Sequence, residues 1–583
     1  MTRIAVIQKS RCNPLGCGDL CIKLCPVNRT GKECITKVEE KARIDEALCT
    51  GCGICANRCP YDAISIINLP QELDKPPIYK YGENGFHLFN LPIPIFGKVV
   101  GIVGRNGIGK STCLKILSGL IKPNLGKINK EAEHKELIEY FKGSEAHNFF
   151  EKVRDKEVRI SYKLQQVDLI AKTQTGTVRE LLAKADEKQK MLEVAKELEI
   201  DKVLDHNVKD ISGGELQRLA IAAAVLKKAN VYFFDEPTSY LDIKQRIKVS
   251  SFIRKLADEN TAVMVVEHDL IILDYMTDLV HLMYGKPGAY GIVSMPKTTK
   301  AGINTYLEGY LRDENVRFRD GAIKFDEKPP TKSTKKEVLT RWEGVRQKLG
   351  SFLLEAEKGE LHKHEVTGVL GANGIGKTSF VKMLAKLSEP ESGKIEEGVK
   401  VAYKPQYLSN DSKELVATVL GEAAEKYEIQ LIRPLELKYL MLSRVKDLSG
   451  GELQRVSIAL CLSQEADLYL LDEPSAYLDV EQRLIVARVI QAMVEQKGKS
   501  ALVVDHDLLF IDYLSENLLV FDGIPAIQGR VEGPFRMEEG MNQFLTSLGI
   551  SMRRDMESRR PRVNKLGSQK DQEQKREGKL YYS

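Results

Sequence analysis

Long apolar runs are missing from this chain of 583 residues. A membrane-spanning helix needs about 20 consecutive apolar residues, and the most apolar stretch, 91–103, is interrupted by Pro92, Pro94, Gly97 and Lys98. The N-terminus passes directly into cysteines and charged residues, so we expect no signal peptide. These absences exclude a membrane transporter that carries its own spans. We therefore expect a cytoplasmic protein with no membrane partner.

Cysteine is nearly absent beyond residue 59, because nine of the 11 cysteines lie within the first 59 residues. The two later ones, Cys113 and Cys461, fall in apolar helical contexts and are interpreted as core residues. Eight of the early ones form two spaced sets, each followed by proline, whereas Cys34 lies between the sets and is not expected to bind metal. The sets are Cys12, Cys17, Cys21 and Cys25, then Cys49, Cys52, Cys55 and Cys59.

The second set has the spacing C-x2-C-x2-C-x3-C-P, the bacterial ferredoxin pattern, in which the fourth cysteine binds the other cluster. This predicts two [4Fe–4S] clusters, one held by Cys49, Cys52, Cys55 and Cys25, the other by Cys12, Cys17, Cys21 and Cys59. Disulfides are disfavoured in a large chain without a secretion signal. Zinc stays open as an alternative, although zinc cysteines are usually paired across a long gap. The first set departs from ferredoxin spacing, so cluster binding is more secure than electron transfer.

A nine-residue motif occurs twice: GRNGIGKST at 104–112 and GANGIGKTS at 371–379. Each copy is followed in the same order by SGGELQR, a DEP sequence and an HD pair. A repeat of about 240 residues indicates a duplicated domain rather than a solenoid unit. Two nucleotide-binding domains are therefore expected in this chain.

Each repeated motif follows an apolar strand and precedes an apolar helix, which is the context of a phosphate-binding P-loop. Glycines allow backbone N–H groups to curl around the phosphates, and the helix N-terminus adds positive potential. The lysines are expected to reach the β- and γ-phosphates, and Ser111 and Thr378 to bind Mg²⁺. The predicted loop residues are Gly104, Asn106, Gly107, Gly109, Lys110, Ser111 and Thr112, with Gly371, Asn373, Gly374, Gly376, Lys377, Thr378 and Ser379 in the second half.

Two apolar strands, VYFFDE and LYLLDE, end in acidic pairs. Buried parallel strands deliver such side chains to the carboxyl edge of a sheet, where ligands bind. Asp235 and Asp472 are expected near Mg²⁺, with Glu236 and Glu473 polarising the attacking water. Two further strands end in histidines at a fixed interval after these pairs, and we interpret them as γ-phosphate sensors: His268 and His506.

The segments ISGGELQR and LSGGELQR resemble the signature motif of ABC-type ATPases. D-loops at 239–242 and 476–479 and Q-loops at Gln165 and Gln406 complete the set in both halves. This resemblance implies head-to-tail pairing, with each ATP between one P-loop and the other half's signature: Lys110 with Ser449, and Lys377 with Ser212. It also implies that the glutamines join the Mg²⁺ shell. The remaining signature residues are Gly213, Gly214, Glu215, Gly450, Gly451 and Glu452.

Comparing the halves locates an insertion: 55 residues separate Lys110 from Gln165, but 29 separate Lys377 from Gln406. Apolar residues at helical spacing flank a Lys-Gly-Ser break there, which predicts a helix–loop–helix near 131–156. Its presence in one half favours a docking element over a decorative hairpin.

Basic residues concentrate in the tail and account for the net charge of +5. Such a tail is commonly a solvated terminus, but it also suits binding to RNA phosphates. The candidate RNA contacts are Arg553, Arg554, Arg559, Arg560, Arg562 and Lys565.

Ferredoxin-type cysteines before two ABC domains, an inserted helix–loop–helix and a basic C-terminus resemble the ABC-type ribosome-recycling factors, or RNase L inhibitor family, of archaea and eukaryotes. The short, basic chain is more similar to the archaeal members. The resemblance implies ATP-driven splitting of ribosomes after termination or rescue, with ATP, ADP and Mg²⁺ as ligands. It also implies as partners the small ribosomal subunit and its RNA, a release factor or Pelota-like rescue factor, and initiation factors.

The expected fold class is α/β, with two head-to-tail P-loop ABC domains after a small α+β ferredoxin-like domain. The expected boundaries are 1–70 for the cluster domain, 71–293 and 327–536 for the ABC domains, 294–326 for a hinge and 537–583 for a second hinge with the basic tail. An ATP-dependent reductase and a binding-only scaffold remain alternatives, although the intact glutamates argue against the scaffold. DNA-repair ABC proteins are disfavoured because no long coiled coil interrupts either half.

Overall fold

The computed structural model describes residues 3–68, 76–128, 130–325, 337–396, 398–406 and 411–581. Parts of the predicted boundaries, at 69–75 and 326–336, lie outside the described residues. The chain divides into two compact units. Unit 1 contains 1–237, 252–268 and 277–320, and unit 2 contains 238–251, 269–276 and 321–583. No helix in the described part of the chain has the length and apolarity needed to cross a membrane.

The N-terminal part of unit 1 is built from short elements around a small core. Its strands form two antiparallel pairs: Arg3–Ile7 with Ile64–Asn68, and Ile35–Val38 with Lys41–Ile44. Four of the 11 buried core residues are cysteines, so apolar packing alone stabilises this region weakly. Three cysteines, Cys17, Cys21 and Cys55, lie within its short helices, which are Pro14–Cys17, Leu20–Leu24, Pro26–Arg29 and Ile54–Asn57.

The larger part of unit 1 contains a nine-stranded mixed sheet. Its central strands run parallel and are fully buried, which explains their continuous apolar sequences. In spatial order the strands are Tyr79–Lys80, His87–Phe89, Tyr290–Val293, Leu279–Lys286, Val99–Val103, Ala262–Val266, Val231–Asp235 and Ile160–Lys163, and Lys297–Thr298 pairs with Leu279–Lys286.

Helices surround this sheet, and the two at the site of the predicted insertion are His134–Tyr140 and Glu145–Arg154. They bury Phe141, Phe149 and Phe150, and the rings of Phe141 and Phe150 stack at 5.2 Å. The insertion therefore packs as part of the domain core. The other helices are Lys110–Leu117, Asp168–Thr173, Val178–Ala185, Met191–Glu197, the 3₁₀ turn Asp201–Val203, Gly213–Val225 and Thr299–Glu308; Ile243–Lys255 crosses the division between the units.

Unit 2 contains a second nine-stranded sheet with the same parallel centre. In spatial order its strands are Ser392–Ile395, Val338–Leu349, Phe352–His362, Gln528–Arg536, Asn517–Ile524, Val366–Leu370, Ser500–Val504, Leu468–Asp472 and Val401–Lys404. Its helices are Leu270–Met276, Lys377–Leu384, Val416–Leu420, Ala423–Lys426, the π-helix Glu428–Ile432, the 3₁₀ turns Lys438–Leu440 and Val445–Asp447, then Gly450–Ser463, Val480–Lys497, Leu508–Leu514, Met537–Leu548 and Gln569–Glu577.

Both predicted hinge segments contain regular structure. Within 294–326, helix Thr299–Glu308 packs on strand Leu279–Lys286, and strands Tyr310–Leu311 and Val316–Arg317 form a hairpin. Within 537–583, helix Met537–Leu548 packs on the second sheet, and Met552–Arg554 pairs with Pro561–Val563.

The basic tail differs from the sequence-based expectation at two of its arginines. Arg560 is fully buried and its Nη1 lies 3.0 Å from Asp274 Oδ2, while Arg562 Nε lies 2.6 Å from the same oxygen. Arg562 also pairs with the buried Asp555 at 3.3 Å. These two arginines are therefore structural ion-pair residues and not free RNA contacts. The error arose because counting charge in sequence cannot reveal a distant buried carboxylate.

Of the other predicted RNA contacts, Arg553, Arg559 and Lys565 are exposed and Arg554 is half-buried. They remain candidates for RNA contact.

We predict that Asp274→Ala loosens the C-terminal hairpin. It removes the buried carboxylate that pairs with both Arg560 and Arg562, and breaking a buried ion pair costs about 3–5 kcal/mol. Hydrogen exchange of the amides in 552–563 should accelerate strongly, whereas exposed Arg553→Ala on the same hairpin should leave exchange nearly unchanged. Equal protection in both variants would contradict the structural role of this ion pair.

A buried histidine gives unit 1 a predictable response to acid. His281 Nε2 accepts a hydrogen bond from the backbone N–H of Ile93 at 3.1 Å, and its Nδ1 donates to the carbonyl of Ser294 at 2.8 Å. Burial lowers the pKa of His281 to about 4. The unfolded histidine binds a proton near its ordinary pKa of about 6.5. Its stabilising contribution is therefore complete above about pH 6.5 and is lost as the pH falls towards 4.

We predict that the unfolding free energy of unit 1 falls between pH 7.5 and 5.5, with His281 contributing up to about 1.4 kcal/mol per pH unit below 6.5. His281→Gln removes this titrating group, so its stability should change less with pH than that of the wild type. Thermal melts across this range measure the difference. The same pH dependence in both proteins would show that other groups control the acid response.

Candidate nucleotide and iron–sulfur sites

The two P-loops have the backbone geometry that their glycines predict. Gly107 and Gly109 have φ of 75° and 96°, and Gly374 and Gly376 have φ of 72° and 90°. A side chain disfavours this left-handed region. Each loop leads directly into a helix, Lys110–Leu117 or Lys377–Leu384. This glycine-rich turn before a helix N-terminus is the backbone arrangement that phosphate binding uses.

The P-loop lysines are buried and donate to loop carbonyls. Lys110 Nζ lies 2.9 Å from the Gly104 oxygen and 2.7 Å from the Arg105 oxygen. Lys377 Nζ makes the same contacts with Gly371 and Ala372, at 2.9 and 2.5 Å. Burial lowers the pKa of Lys377 to about 8, although Glu473 and Asp242 oppose that shift. An incoming phosphate would give each ammonium group a stronger, charged acceptor.

The loop hydroxyls meet the strand-end aspartates, as expected for a Mg²⁺ site. Thr378 Oγ1 donates to Asp472 Oδ2 at 2.8 Å, and Ser111 hydrogen-bonds Asp235. Burial raises the pKa of both aspartates. Within the described residues, Asp235 Oδ1 is buried without a hydrogen-bond partner. Hydroxyl and carboxylate oxygens with an open buried position fit this hard cation.

Each glutamate at the end of an acidic strand, the Walker B glutamates Glu236 and Glu473, meets the predicted glutamine and histidine. Gln165 Nε2 donates to Glu236 Oε1 at 2.7 Å, and Gln406 makes the same bond to Glu473 at 2.7 Å. His268 Nε2 lies 3.2 Å from Glu236 Oε1. The equivalent distance from His506 to Glu473 is 3.6 Å.

In the second of these sites His506 is buried and Glu473 is half-buried, and their surroundings determine their ionisation. Burial, together with the charges of Asp505 and Asp472, raises the pKa of Glu473 to about 7. Burial and the charge of Lys377 lower the pKa of His506. The imidazole beside the glutamate is therefore neutral rather than a permanent cation.

The signature serines begin helices Gly213–Val225 and Gly450–Ser463. Ser212 Oγ accepts from the backbone of Glu215 at 3.3 Å, and Ser449 Oγ accepts from Glu452 at 3.4 Å. Each glutamate side chain returns a bond to the serine N–H, which completes a capping box. This leaves the first-turn glycine N–H groups at the helix N-terminus, where anions bind favourably.

The first D-loop contributes to unit 2. The carboxylate of Asp242 caps helix Ile243–Lys255 by accepting from Gln245 N at 2.9 Å. Its other oxygen accepts from the backbone N–H of Asn373 at 3.1 Å. Within unit 2, a D-loop acid therefore fixes the second P-loop at a residue expected to bind ATP.

Sequence reasoning missed aromatic residues beside both P-loops. A Cβ at Gly109 would lie 3.0 Å from the ring of Phe86, and one at Gly376 would lie 3.0 Å from the ring of Phe352. These phenylalanines precede Lys110 and Lys377 by 24 and 25 residues, a matched spacing that could have identified them. Such rings offer a flat surface to a nucleotide base.

The four cysteines of one predicted cluster lie around a common cavity. One cavity is lined by Cys25, Cys49, Cys52 and Cys55, and also by Cys34, which the sequence analysis excluded as a ligand. In the other predicted group, burial together with the nearby Cys17 and Cys12 raises the pKa of Cys21 to about 12. These thiols would be stabilised as anions by bound iron.

Backbone N–H groups point at sulfurs of the second group. Ala42 N lies 3.5 Å from Cys12 Sγ, and Ala63 N lies 3.4 Å from Cys59 Sγ. Such N–H···S contacts stabilise cluster thiolates. The residues present therefore fit iron–sulfur ligation.

Three family models match the chain. The ABC transporter model matches 95–239 and 354–476, the 4Fe–4S binding domain matches 42–65, and a Fer4-like domain described for RNase L inhibitor matches 2–33. These matches cover the P-loops, both Walker B strands and both cysteine sets. The chain thus has ATPase domains and an iron–sulfur region.

Curated relatives match over the full length. An uncharacterized ABC transporter ATP-binding protein of Methanocaldococcus jannaschii is 49% identical, covering 100% of this chain and 97% of the relative. ABC transporter E family member 1 of Arabidopsis thaliana is 44% identical, covering 100% and 99%. Translation initiation factor RLI1 of Saccharomyces cerevisiae is 40% identical, covering 100% and 98%.

Two solved structures resemble the whole fold. The ABCE1 chain of a model of ribosome-bound archaeal Pelota and ABCE1 has a TM-score of 0.94 and 53% identity, covering 100% of this chain and 99% of that one. An archaeal ribosome recycling factor, aABCE1, crystallised with the stalk protein aP1, has a TM-score of 0.84 and 51% identity, covering 88% and 100%. With cysteine sets, signature helices and catalytic acids placed as described, this chain belongs to ABC subfamily E, the RNase L inhibitor family.

Proposed function

We propose that this protein is an ATP-driven recycling factor that splits ribosomes into subunits after termination or rescue. The observation that carries the proposal is full-length similarity, at 53% identity, to an ABCE1 bound to a ribosome together with Pelota. The partners we propose are the small subunit and its RNA, a Pelota-like or release factor, and initiation factors, as the name of the yeast relative suggests. A ribosomal partner places the protein in the cytoplasm.

Each half contributes a complete set of groups for hydrolysis. Lys110 and Lys377 would bind the β- and γ-phosphates, and Ser111 and Thr378, with Asp235, Asp472 and the Q-loop glutamines, would hold Mg²⁺. Bound Mg²⁺ would neutralise phosphate charge. Glu236 and Glu473 would orient and polarise the attacking water, held in place by Gln165 and Gln406, while His268 and His506 would contact the γ-phosphate.

The family pattern further suggests that ATP pairs Lys110 with the signature at Ser449, and Lys377 with that at Ser212. A ligand favours whichever state binds it better, so ATP would favour closure. Loss of the γ-phosphate would then reset the protein. The exposed Arg553, Arg559 and Lys565 would add contacts to RNA phosphates.

We predict that ATP binding suffices for splitting and that hydrolysis is needed for release. Glu236→Gln with Glu473→Gln keeps the phosphate-binding groups but removes the carboxylates that polarise water. Given ATP and a rescue factor, this double variant should convert whole ribosomes to subunits once, without multiple turnover, on sucrose gradients. A variant that binds ATP and still splits nothing would contradict the prediction. An unchanged ribosome peak with the wild type would redirect attention to a reductase that uses the clusters.

We propose two [4Fe–4S] clusters, one on Cys25, Cys49, Cys52 and Cys55 and one on Cys12, Cys17, Cys21 and Cys59. Anaerobically purified protein should then contain roughly eight iron atoms per chain. Cys25→Ser should lose about half of that iron, because it removes a ligand of one cluster.

Cys34→Ser is the matched control, because Cys34 lines the same cavity as Cys25. It should keep all of the iron and the charge-transfer absorbance of the wild type. Iron loss equal to that of Cys25→Ser would make Cys34 a ligand and overturn the assignment.

A further inference from the structure

Each ABC half contains a buried lysine that the mechanism above does not use. Lys163 and Lys404 end the strands that precede the Q-loop glutamines, with side chains 2% and 1% exposed. Lys163 Nζ donates to the main-chain carbonyl of Asp235 at 2.9 Å and to that of Glu236 at 3.3 Å. Lys404 does the same to Asp472 and Glu473, at 2.7 and 3.4 Å.

A second side chain reaches the same glutamate carbonyl from another direction. Gln217 lies on signature helix Gly213–Val225 and is completely buried, and its Nε2 donates to the Glu236 carbonyl at 2.6 Å. Gln454, at the matching position of the second signature helix, donates to the Glu473 carbonyl at 2.6 Å. The arrangement is thus built twice, once in each unit, from residues two positions before the Q-loop glutamine and five after the signature serine.

The backbone at these carbonyls adopts a conformation that glutamate disfavours. Glu236 has φ of 47° and Glu473 has φ of 48°, in the left-handed region that costs a non-glycine residue free energy. Such a conformation persists only where surrounding contacts hold it. The N–H of each glutamate donates to the neighbouring strand, at Val266 or Val504, and the lysine and glutamine hold its carbonyl side.

A purely structural role does not explain the choice of lysine. A buried ammonium group costs free energy that an apolar side chain of similar length would avoid. Both units nevertheless keep the amine at this position, and both aim it at carbonyls rather than at a carboxylate partner. The feature shared by the two units is the orientation of the turn that carries the glutamate side chain.

We propose that Lys163 and Gln217, with Lys404 and Gln454, are positioning residues for ATP hydrolysis. We call these four side chains the carbonyl clamp. The clamp fixes the strained turn after each Walker B strand, and thereby aims Glu236 or Glu473 at the position of the attacking water. It also bonds two elements that carry candidate ATP contacts, the Q-loop strand and the signature helix, directly to the main chain of the same glutamate. A shift of either element would be transmitted to the catalytic carboxylate.

The proposal rests on the proposed role of the two glutamates in hydrolysis, and not on ribosome splitting. Basal ATPase activity without ribosomes therefore tests it, and failure of the recycling experiment would leave it standing. If Glu236→Gln with Glu473→Gln left hydrolysis unchanged, the catalytic assignment itself would fail, and this result is distinguishable from failure of the clamp.

The test compares the wild type with one full-length variant that carries both Lys163→Met and Lys404→Met. Methionine fills the space but donates no hydrogen bond, so kcat should fall roughly tenfold, the size expected for losing a strong hydrogen bond to the turn. The KM for ATP should change by less than about twofold, because the P-loop groups that bind phosphate are untouched.

Ser161→Ala is the matched control. Ser161 is buried on the same strand as Lys163, but its hydroxyl donates to the Ala224 carbonyl at 2.7 Å and not to the Walker B turn. Ala402 occupies the equivalent strand position in the second half. This variant should keep the kcat of the wild type even if it melts at a lower temperature.

The glutamate background separates positioning from a general structural effect. In single-turnover hydrolysis of radiolabelled ATP, the lysine substitutions should cause no further loss when Glu236→Gln and Glu473→Gln are already present. Residues that act through one group are non-additive with its removal. An equal loss in both backgrounds, or an unchanged kcat in folded lysine variants, would overturn the proposal.

If the lysine variants do not fold, Gln217→Leu with Gln454→Leu decides the question. These substitutions remove the other bond to the same carbonyl without burying or deleting a charge. A drop in kcat at constant KM, abolished in the glutamate background, would support the clamp. A kcat equal to that of Ser161→Ala would reject it.

Discussion

Both ABC domains depend on satisfying polar groups that are buried at the carboxyl edge of a parallel sheet. Asp235 and Asp472 are each 1% exposed, and burial raises the pKa of both. Such carboxylates are tolerated only when hydroxyls, amides, ammonium groups or a metal compensate them. The P-loop, Q-loop strand and signature helix all meet this edge because each supplies one of those groups. Nucleotide binding and packing therefore use the same residues.

The same principle explains why arginines in the tail have different roles. Arg560 is buried against Asp274, which lies 286 residues earlier in the chain, whereas Arg553 on the paired strand is exposed. A buried charge requires a partner of opposite sign. Asp274 of helix Leu270–Met276 has Arg560 as that partner, and their ion pair attaches the tail to the helix. Arg560 and Arg562 thus attach the tail to its own unit, and only the exposed basic residues are placed to contact a partner.

The cluster region represents the opposite case, in which apolar burial is scarce. Its core is small and rich in cysteine, and a domain of this size buries too little apolar surface to be stable by packing alone. Bound metal can supply the missing folding free energy. Bound iron–sulfur clusters would therefore stabilise this region in addition to any other role.

The sequence by itself determined the ABC halves, the iron–sulfur region and the candidate catalytic residues, because P-loops, acidic strand ends and ferredoxin cysteines are local patterns whose chemistry requires fixed spacing. The helix–loop–helix was visible because the two halves could be compared with each other. Only the tertiary structure decided what Arg560, Lys163 and Gln217 contact. Their roles depend on partners that are distant in sequence, such as Asp274 and the carbonyl of Glu236. Main-chain acceptors carry no residue signature, and folding alone determines which of them a buried side chain can reach.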